Sequence, residues 1–350
     1  MSTDRAATDR RWMRRALTLA RRAWGRTSPN PMVGAVVVRD DGLVGEGFHH
    51  AAGTPHAEVH ALAAAGAQAA GSTLYVTLEP CSTHGRTPPC TEAIRRAGVR
   101  RVVVGCIDAN PQHAGRGCAD LAAAGIEVTC GILEEACHDL NESFFWWIRE
   151  RRPFVLLKMA MTLDGRIASA GGESQWITGA AARRRVQRLR QGSDAIMVGG
   201  ATARADHPSL TVRQPRCWPR QPRRCVWTSR PPPDGLAPDA DDAAPTILAK
   251  PVTPAEWLDF LGRLGREDIT ALLLEGGGEL AAAALRAGVV NKVAFFVAPK
   301  ILGGRGSRPV VGGPDPDCLA EAMALERLHA ERVGDDLLIT GYCTHVHRTD

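Results

Sequence analysis

Short runs of aliphatic and β-branched residues alternate with helix-like segments along most of the chain. Residues 99–108, VRRVVVGCID, have the character of a buried strand, and residues 118–132, CADLAAAGIEVTCGI, of a helix followed by a strand. Residues 269–288, ITALLLEGGGELAAAALRAG, repeat the order of strand, glycine turn and helix. Strands that alternate with helices are typical of a sheet covered by helical layers. The sequence therefore predicts an α/β fold.

The length of 350 residues suits two domains, and an apolar fraction of 44% allows each of them a core. A helix that ends in NESFFWWIRERRP is followed at residue 153 by a new α/β series, PFVLLKMAMTLDGRIA. We therefore predict one domain over residues 1–150 and a second over residues 151–350.

Several local elements follow from residue patterns. We expect a first helix over residues 9–24, a hairpin turn at Asp40-Asp41-Gly42 and a helix over residues 180–191. The Pro- and Asp-rich segment 230–245 cannot supply a hydrophobic core and is predicted to be a surface loop.

Composition bears on location and partners. No run of about 18 uncharged apolar residues occurs, and the Arg-interrupted N-terminus lacks the apolar core of a secretory signal. The ten Cys then indicate a reducing compartment, so we expect a cytoplasmic protein without membrane contact. Apart from Cys81 and Cys90, most are expected to be small buried hydrophobes.

The net charge of +5 arises from 39 Arg and four Lys against 38 acidic residues. Acidic residues are interspersed nearly everywhere, and a GC-rich coding sequence explains an excess of Arg over Lys. We therefore expect no nucleic-acid partner, whereas a few of these Arg would suit a small phosphorylated substrate.

One His, one Glu and two Cys form a pattern typical of a catalytic zinc site. His56 and Glu58 stand in HAE, and Cys81 and Cys90 follow nine positions apart in LEPCSTHGRTPPC. Zinc with three protein ligands keeps a position for water and lowers the pKa of that water to about 7, which gives a hydroxide nucleophile. Since positions i and i+2 diverge on a helix, we expect His56 at the helix entry and Glu58 free to shuttle protons.

Other interpretations of this cluster remain open at the level of sequence. A structural zinc site would require a fourth protein ligand. His60 is interpreted as structural, and His84 either lines a pocket or is a solvated loop residue. The HxE and PC elements match the nucleobase-deaminase signature, although the spacing of the two Cys is longer than in that pattern.

Eight segments in order resemble the bifunctional riboflavin-biosynthesis deaminase/reductase family over nearly the whole chain. They are PNPMVGAVVV, HAEVHAL, LEPCSTHGRTPPC, DANPQHAGRG, KMAMTLDGRIA, ESQWITGAAARRRVQRLR, ADHPSLTVR and LLLEGGGEL. The resemblance implies a cytidine-deaminase-like three-layer domain followed by a dihydrofolate-reductase-like α/β domain. It also implies that His56, Cys81 and Cys90 bind zinc and that Glu58 is the catalytic acid/base.

The resemblance further implies the residues of both substrate pockets. In the deaminase domain, the expected substrate contacts are Asn30, His49, Arg86, Asp108 and Asn110. In the reductase domain, they are Ser174, Arg190, Leu210, Arg213 and Glu275. Asn30 would read the pyrimidine edge with its amide, and Arg86 would contact the phosphate.

The second half contains no GxGxxG fingerprint after its first strand. Gly276-Gly277-Gly278 nevertheless lies between a strand and a helix, where backbone amides can hold a pyrophosphate. The resemblance implies NADPH as the cofactor, although the residues alone do not distinguish it from NADH. The implied cofactor contacts are Ala160, Trp176, Thr202, Asp206, Ser229, Gly277 and Gly278.

We predict that the protein is an enzyme that catalyses two steps of riboflavin synthesis. The resemblance also implies a homo-oligomer. The first domain would deaminate 2,5-diamino-6-(5-phosphoribosylamino)pyrimidin-4(3H)-one, and the second would reduce the ribose of the uracil product with NADPH. Either Lys158 or Asp206 is a candidate to assist proton delivery in the reduction. The alternatives are a nucleic-acid base deaminase with an accessory domain and a second half that only binds or regulates.

Overall fold

The computed structural model of the protein describes residues 2–83, 88–111, 113–230 and 246–343. The chain divides into two compact units between Glu150 and Arg151, and each has its own mixed α/β sheet. These sheets agree with the predicted α/β fold class. Among the described residues, no helix combines the length and the apolar character that a membrane span requires.

In the described part of the N-terminal unit, six helices surround one sheet. The helices are Ser2–Ala20 (α1), Ala57–Ala65 (α2), Cys90–Arg96 (α3), Arg116–Ala123 (α4), Glu134–Leu140 (α5) and Glu142–Glu150 (α6). The strands are Gly34–Arg39 (β1), Gly42–Phe48 (β2), Thr73–Leu78 (β3), Arg101–Cys106 (β4) and Glu127–Thr129 (β5).

The N-terminal sheet has the order β2-β1-β3-β4-β5. Strand β1 pairs antiparallel with β2 and β3, whereas β3, β4 and β5 run parallel to one another. The predicted hairpin is confirmed, since Asp40 and Asp41 both have positive φ (49° and 58°) and connect β1 to β2. Both central turn residues of a type I′ turn require this conformation.

Helices cover both faces of this sheet. Glu46 of β2 forms a paired hydrogen bond with Arg15 of α1, at 2.8 and 2.9 Å. The next residue, Gly47, lies so close to α2 that a Cβ there would come within 2.7 Å of the Ala61 nitrogen. Because successive strand residues point to opposite faces, α1 and α2 lie on opposite sides of the sheet. The unit therefore has three layers.

The described part of the C-terminal unit is built around a larger sheet. Its helices are Ala180–Gln191 (α7), Gly200–Asp206 (α8), Pro254–Arg266 (α9) and Gly278–Arg286 (α10). Its strands are Phe154–Thr162 (β6), Arg166–Ala168 (β7), Ala195–Gly199 (β8), Arg223–Trp227 (β9), Ile247–Ala249 (β10), Ala271–Leu274 (β11), Lys292–Ala298 (β12), Arg308–Pro309 (β13), Glu326–Val333 (β14) and Asp336–Tyr342 (β15).

Eight of these strands form one sheet in the order β10-β9-β8-β11-β6-β12-β15-β14, and β7 pairs with β13. The six strands from β10 to β12 are parallel, and β15 and β14 continue the sheet antiparallel. Leu272 and Leu274 pack in a core with α9 and α10, whereas Leu273 belongs to a second core that includes Leu189 of α7. Helices therefore cover both faces of the central strands.

Two expectations need correction, and one lies outside the described residues. The first helix begins at Ser2, ends at Ala20 and continues as a 3-10 turn over Arg21–Ala23. The predicted helix over residues 9–24 therefore began too late in the sequence. Of the eight Cys expected to be mostly buried, five are exposed or half-buried: Cys118, Cys130, Cys217, Cys318 and Cys343. Of the predicted loop 230–245, the structure describes Arg230 alone.

Candidate active sites

The three proposed zinc ligands lie at the ends of helices and strands of the N-terminal unit. His56 is the N-cap residue of α2, as its spacing from Glu58 predicted, and Cys90 is the first residue of α3. Cys81 follows β3, and its sulfur accepts a hydrogen bond of 3.3 Å from the Cys90 backbone N–H. Residues far apart in sequence therefore converge because two helices begin beside the end of one strand.

The donor atoms of this trio fit a zinc ion. The Nδ1 atom of His56 lies 3.2 Å from the Cys90 sulfur and 3.6 Å from the Cys81 sulfur, and all three atoms lie within 4.8 Å of one another. Tetrahedral zinc separates nitrogen and sulfur ligands by roughly 3.5–3.8 Å. In the described part of the chain, no fourth His, Cys, Asp or Glu joins this group, which favours a catalytic over a structural site.

The pKa values of the two thiols are shifted in opposite directions. Hydrogen bonding from the Cys90 thiol and from His56 lowers the pKa of Cys81, whereas the negative Cys81 sulfur and burial raise the pKa of Cys90. A divalent cation removes this conflict, because it stabilises both thiolates. The donor set therefore suits a metal better than a shared proton.

Glu58 is a buried carboxylate beside this trio. Its residue is 3% exposed, and its Oε2 atom has no hydrogen-bond partner among the described residues. Burial raises the pKa of Glu58 to about 7, although the neighbouring His56 opposes the shift. A carboxylate with such a pKa can accept and return a proton at neutral pH.

Asn30 and His49 form a polar pair in the same unit. His49 is 2% exposed, its Nδ1 lies 3.2 Å from the Pro55 carbonyl oxygen and its Nε2 lies 3.3 Å from Nδ2 of Asn30. Burial lowers the pKa of His49, so its ring is neutral near pH 7. Because a carbonyl only accepts, Nδ1 donates to Pro55 and Nε2 accepts from the Asn30 amide. The amide oxygen of Asn30 is then left available as an acceptor.

Asp108 and Asn110 lie in the loop after β4. The Oδ1 atom of Asp108 accepts a hydrogen bond of 2.9 Å from the Asn110 backbone N–H, which is the Asx turn considered for this segment. The predicted substrate contact Arg86 and the nearby His84 lie outside the described residues.

All predicted reductase residues line one cleft of about 1300 Å³ in the C-terminal unit. The cleft brings together the predicted substrate contacts and the predicted cofactor contacts, and Lys158 lies among them: Ala160, Ser174, Trp176, Arg190, Thr202, Asp206, Leu210, Arg213, Ser229, Glu275, Gly277 and Gly278. The cleft also contains Arg and Lys residues that the sequence did not single out: Arg183, Arg184, Arg204, Arg230, Lys250 and Arg308.

Inside the cleft, the guanidinium group of Arg190 forms hydrogen bonds with other residues of the chain. Its Nε and one terminal nitrogen donate to the two oxygens of Glu275 at 2.6 and 2.8 Å, and the other terminal nitrogen donates to the Thr211 carbonyl. These bonds use three of its five N–H donors. Arg213 has an exposed side chain and is therefore the more accessible of the two predicted phosphate contacts.

The two candidates for proton delivery differ in their surroundings. Lys158 stands on β6; burial lowers its pKa, although Glu275 nearby opposes the shift. Asp206 is exposed and accepts a hydrogen bond of 3.4 Å from the Ser174 hydroxyl.

The glycine turn 276–278 is shaped for close approach. It connects β11 to α10, Gly276 has φ 78°, and the Gly277 N–H donates to the Thr202 hydroxyl at 3.2 Å. A Cβ on Gly277 would lie 3.0 Å from that hydroxyl oxygen, so a side chain would crowd the turn. A glycine turn at a helix N-terminus suits a phosphate group, and with the basic residues of the cleft it fits a dinucleotide.

Two family models match the chain. The cytidine and deoxycytidylate deaminase zinc-binding region matches residues 6–106, and the RibD C-terminal domain matches residues 153–339.

Full-length relatives match across both units. The riboflavin biosynthesis protein RibD of Synechocystis is 43% identical, with 96% of each chain covered. RibD of Escherichia coli is 41% identical, with 95% of this chain and 97% of the relative covered.

Solved structures extend the similarity to the fold. RibD of Acinetobacter baumannii (form 1) has a TM-score of 0.86 at 39% identity and covers 96% of this chain and 99% of its own. A diaminohydroxyphosphoribosylaminopyrimidine deaminase/5-amino-6-(5-phosphoribosylamino)uracil reductase from Thermotoga maritima has a TM-score of 0.84 at 34% identity, with 97% and 99% covered.

Proposed function

The chain belongs to the RibD family of bifunctional riboflavin-biosynthesis deaminase/reductases, and on this premise we propose which of its residues carry out each reaction. The N-terminal unit, residues 1–150, hydrolyses the 2-amino group of the diaminopyrimidine phosphate to ammonia. The C-terminal unit, residues 151–350, reduces the ribose of the resulting uracil to the ribityl chain. Family membership over both units decides against a nucleic-acid base deaminase and against a non-catalytic second half.

The family implies zinc and NADPH as cofactors. His56, Cys81 and Cys90 would hold the zinc ion, which supplies a Lewis acid that makes water nucleophilic near neutral pH. The cleft around Gly277, Gly278 and Thr202 would hold NADPH, which supplies the hydride.

Glu58 is the proton carrier of the deamination. It takes a proton from the attacking water and gives it to the ring nitrogen. It then takes the second proton, from the hydroxyl group that the water has become, and delivers it to the leaving amine as the carbonyl forms. Its burial and its pKa of about 7 support this role, because the same carboxyl group must act as base and then as acid.

Asn30, His49, Asp108 and Asn110 bind the substrate of this reaction. The hydrogen bond from Asn30 to His49 leaves the amide oxygen of Asn30 to accept from an N–H of the pyrimidine. Arg86 is proposed to contact the phosphate by family resemblance alone.

In the reductase cleft, we propose that Lys158 rather than Asp206 provides the proton that opening of the ribose ring requires. Its half-buried position on β6 and its lowered pKa support this assignment, since a lysine that loses its proton more easily is a better acid. Arg213 is proposed to bind the phosphate, with Ser174 and Leu210 as further substrate contacts. The ion pair between Arg190 and Glu275 would shape the substrate site among these contacts.

Ala160, Trp176, Asp206 and Ser229 complete the proposed cofactor contacts. Their common position in the cleft supports this assignment.

We also propose a cytoplasmic homo-oligomer. All ten Cys are free, which suits a reducing compartment. Exposed leucines on the edge strand β14 and on its neighbour β15, Leu328 at 65% and Leu337 at 43%, support self-association through this edge of the sheet.

The observation that carries the deaminase assignment is the convergence of three ligand atoms beside the unpartnered oxygen of Glu58. Incubation of the whole protein with the diaminopyrimidine phosphate should raise the substrate mass by about one unit through hydrolysis. Addition of NADPH should raise it by about two further units through hydride transfer. Mass spectrometry and ammonia release measure both steps; an unchanged substrate mass would refute the proposal.

A further inference from the structure

Glu79 is a buried carboxylate that the two reactions do not use. It stands two residues before Cys81 and is 5% exposed. Its Oε2 atom accepts from the backbone N–H groups of Asp108 (3.1 Å) and Gly115 (2.9 Å), and its Oε1 atom accepts from that of Cys118 (3.2 Å). One side chain therefore binds three backbone donors of a separate segment.

The position of Glu79 follows from the sheet. Strands β3 and β4 are parallel neighbours, so their carboxyl ends lie at the same edge. The Glu79 backbone N–H continues their pairing with a bond of 3.0 Å to the Cys106 carbonyl. Its side chain then reaches the segment that leaves β4 and supplies acceptors for three half-buried backbone N–H groups there.

The three donors lie at both ends of the connection from β4 to α4. Asp108 lies at its start, whereas Gly115 is the N-cap of α4 and Cys118 lies in its first turn. A carboxylate is also favoured there by the N-terminal end of the helix dipole. The connection is therefore held at its start and at its end by one carboxylate.

Packing reinforces these hydrogen bonds. A Cβ on Gly117 would come within 2.0 Å of the Pro80 carbonyl oxygen, so α4 lies directly against the segment that leads to Cys81. Within the connection, the Asn110 N–H donates to Asp108, and the Asn110 carbonyl accepts from the N–H groups of His113 and Ala114. A shift at Glu79 would move Asp108 and Asn110 together.

We propose that Glu79 is a positioning residue that sets the distance between the Asp108–Asn110 loop and the segment carrying Cys81, and thereby the affinity for the pyrimidine substrate. The inference rests on the proposed function, in which Asp108 and Asn110 contact that substrate. A carboxylate is required because the three hydrogen-bond partners of the Glu79 side chain are all donors. A glutamine would present its own N–H donors to at least one of them.

The test is the deamination kinetics of Glu79→Gln in the full chain. We expect the KM for the diaminopyrimidine phosphate to rise about tenfold or more, with kcat within about threefold, because binding contacts are displaced while the proton carrier is kept. Zinc content, measured by elemental analysis, should stay at the wild-type level. An unchanged KM, or a loss of zinc with a collapse of kcat, would overturn the proposal.

A second variant displaces the same contact from the other side. Gly117→Ala should push α4 away from Pro80 and give the same rise in KM with zinc retained, so it decides the matter if Glu79→Gln does not fold. Asp9→Asn is the matched control, since it alters a buried carboxylate bound to Arg101 at the opposite end of β4. It should lower thermal stability and leave KM unchanged.

The outcome separates this inference from the function on which it rests. If the wild-type protein does not deaminate the diaminopyrimidine phosphate, the proposed function fails. If the wild type is active and both loop variants keep the wild-type KM, only the role of Glu79 fails.

Discussion

Glu58 has unusual acidity because of where its backbone lies. The residue occupies the first turn of α2, two residues after the proposed ligand His56, and it is nearly inaccessible to solvent. Burial disfavours the charged form, which raises the pKa of Glu58 to about 7 and leaves both protonation states populated at neutral pH. A residue that acts as base and then as acid requires this balance.

Glu58→Gln should lower kcat of the deamination by about two to four orders of magnitude, because the amide cannot carry protons. Zinc should remain bound, and NADPH consumption should be normal when the uracil intermediate is supplied directly. Glu92→Gln, which changes a carboxylate whose side chain is 40% exposed on α3, is the control and should keep both activities. Retained deamination in Glu58→Gln would contradict the mechanism.

At the scale of elements, α1 is anchored to the sheet by a buried ion pair. Asp9 of α1 accepts two hydrogen bonds from Arg101 at the start of β4, at 2.8 and 2.7 Å, and one from the Tyr75 hydroxyl in β3. Burial alone would raise the pKa of Asp9, but these donors outweigh it and lower the pKa below its ordinary value. The ion pair therefore stabilises the folded state above about pH 4, and this contribution is lost as the pH falls through the lowered pKa.

Asp9→Asn should destabilise the protein by about 3–5 kcal/mol at pH 7, since it leaves the Arg101 charge buried without its partner. The variant should also lose part of the wild-type decline in stability below about pH 4. Thermal unfolding from pH 3 to pH 7 measures both effects. Asp40→Asn, at a side chain 93% exposed, serves as the reference and should match the wild type at neutral pH.

At the scale of the whole molecule, the edge of the larger sheet is the feature most suited to assembly. Edge strand β14 is charged along much of its length but presents Leu328, and exposed Leu319 and Met323 precede it. Charges on an edge strand hinder nonspecific pairing, whereas a few exposed apolar side chains favour a specific partner.

Leu328→Asp should convert the proposed homo-oligomer to a smaller species, because a carboxylate would be buried at the interface. Light scattering coupled to size exclusion measures the mass of each form. Leu258→Asp, at a leucine of α9 with 43% exposure, is the comparison and should leave the assembly intact. A wild-type protein that is already monomeric would refute the oligomer.

The sequence by itself determined the α/β class, the hairpin at Asp40-Asp41 and the chemical type of the proposed zinc ligands. These features depend on local conformational preferences and on donor chemistry, both of which are properties of short segments. Even so, α9 was not predicted, although its start is marked by a capping box of Thr253 and Glu256 and by Pro254 as the first helical residue. The mostly polar β14 offered no such signal, since its pairing with β15 depends on the neighbouring strand.

Only the tertiary structure decided how distant side chains combine. The orientation of the Asn30 amide depends on His49, the guanidinium of Arg190 is engaged by Glu275, and the bonds of Glu79 reach residues 29 to 39 positions away. Such contacts arise where strands and helices from separate parts of the chain meet, and their hydrogen-bond partners are unknown until that packing is formed. Local patterns therefore predict the reacting groups, whereas packing decides how they are positioned.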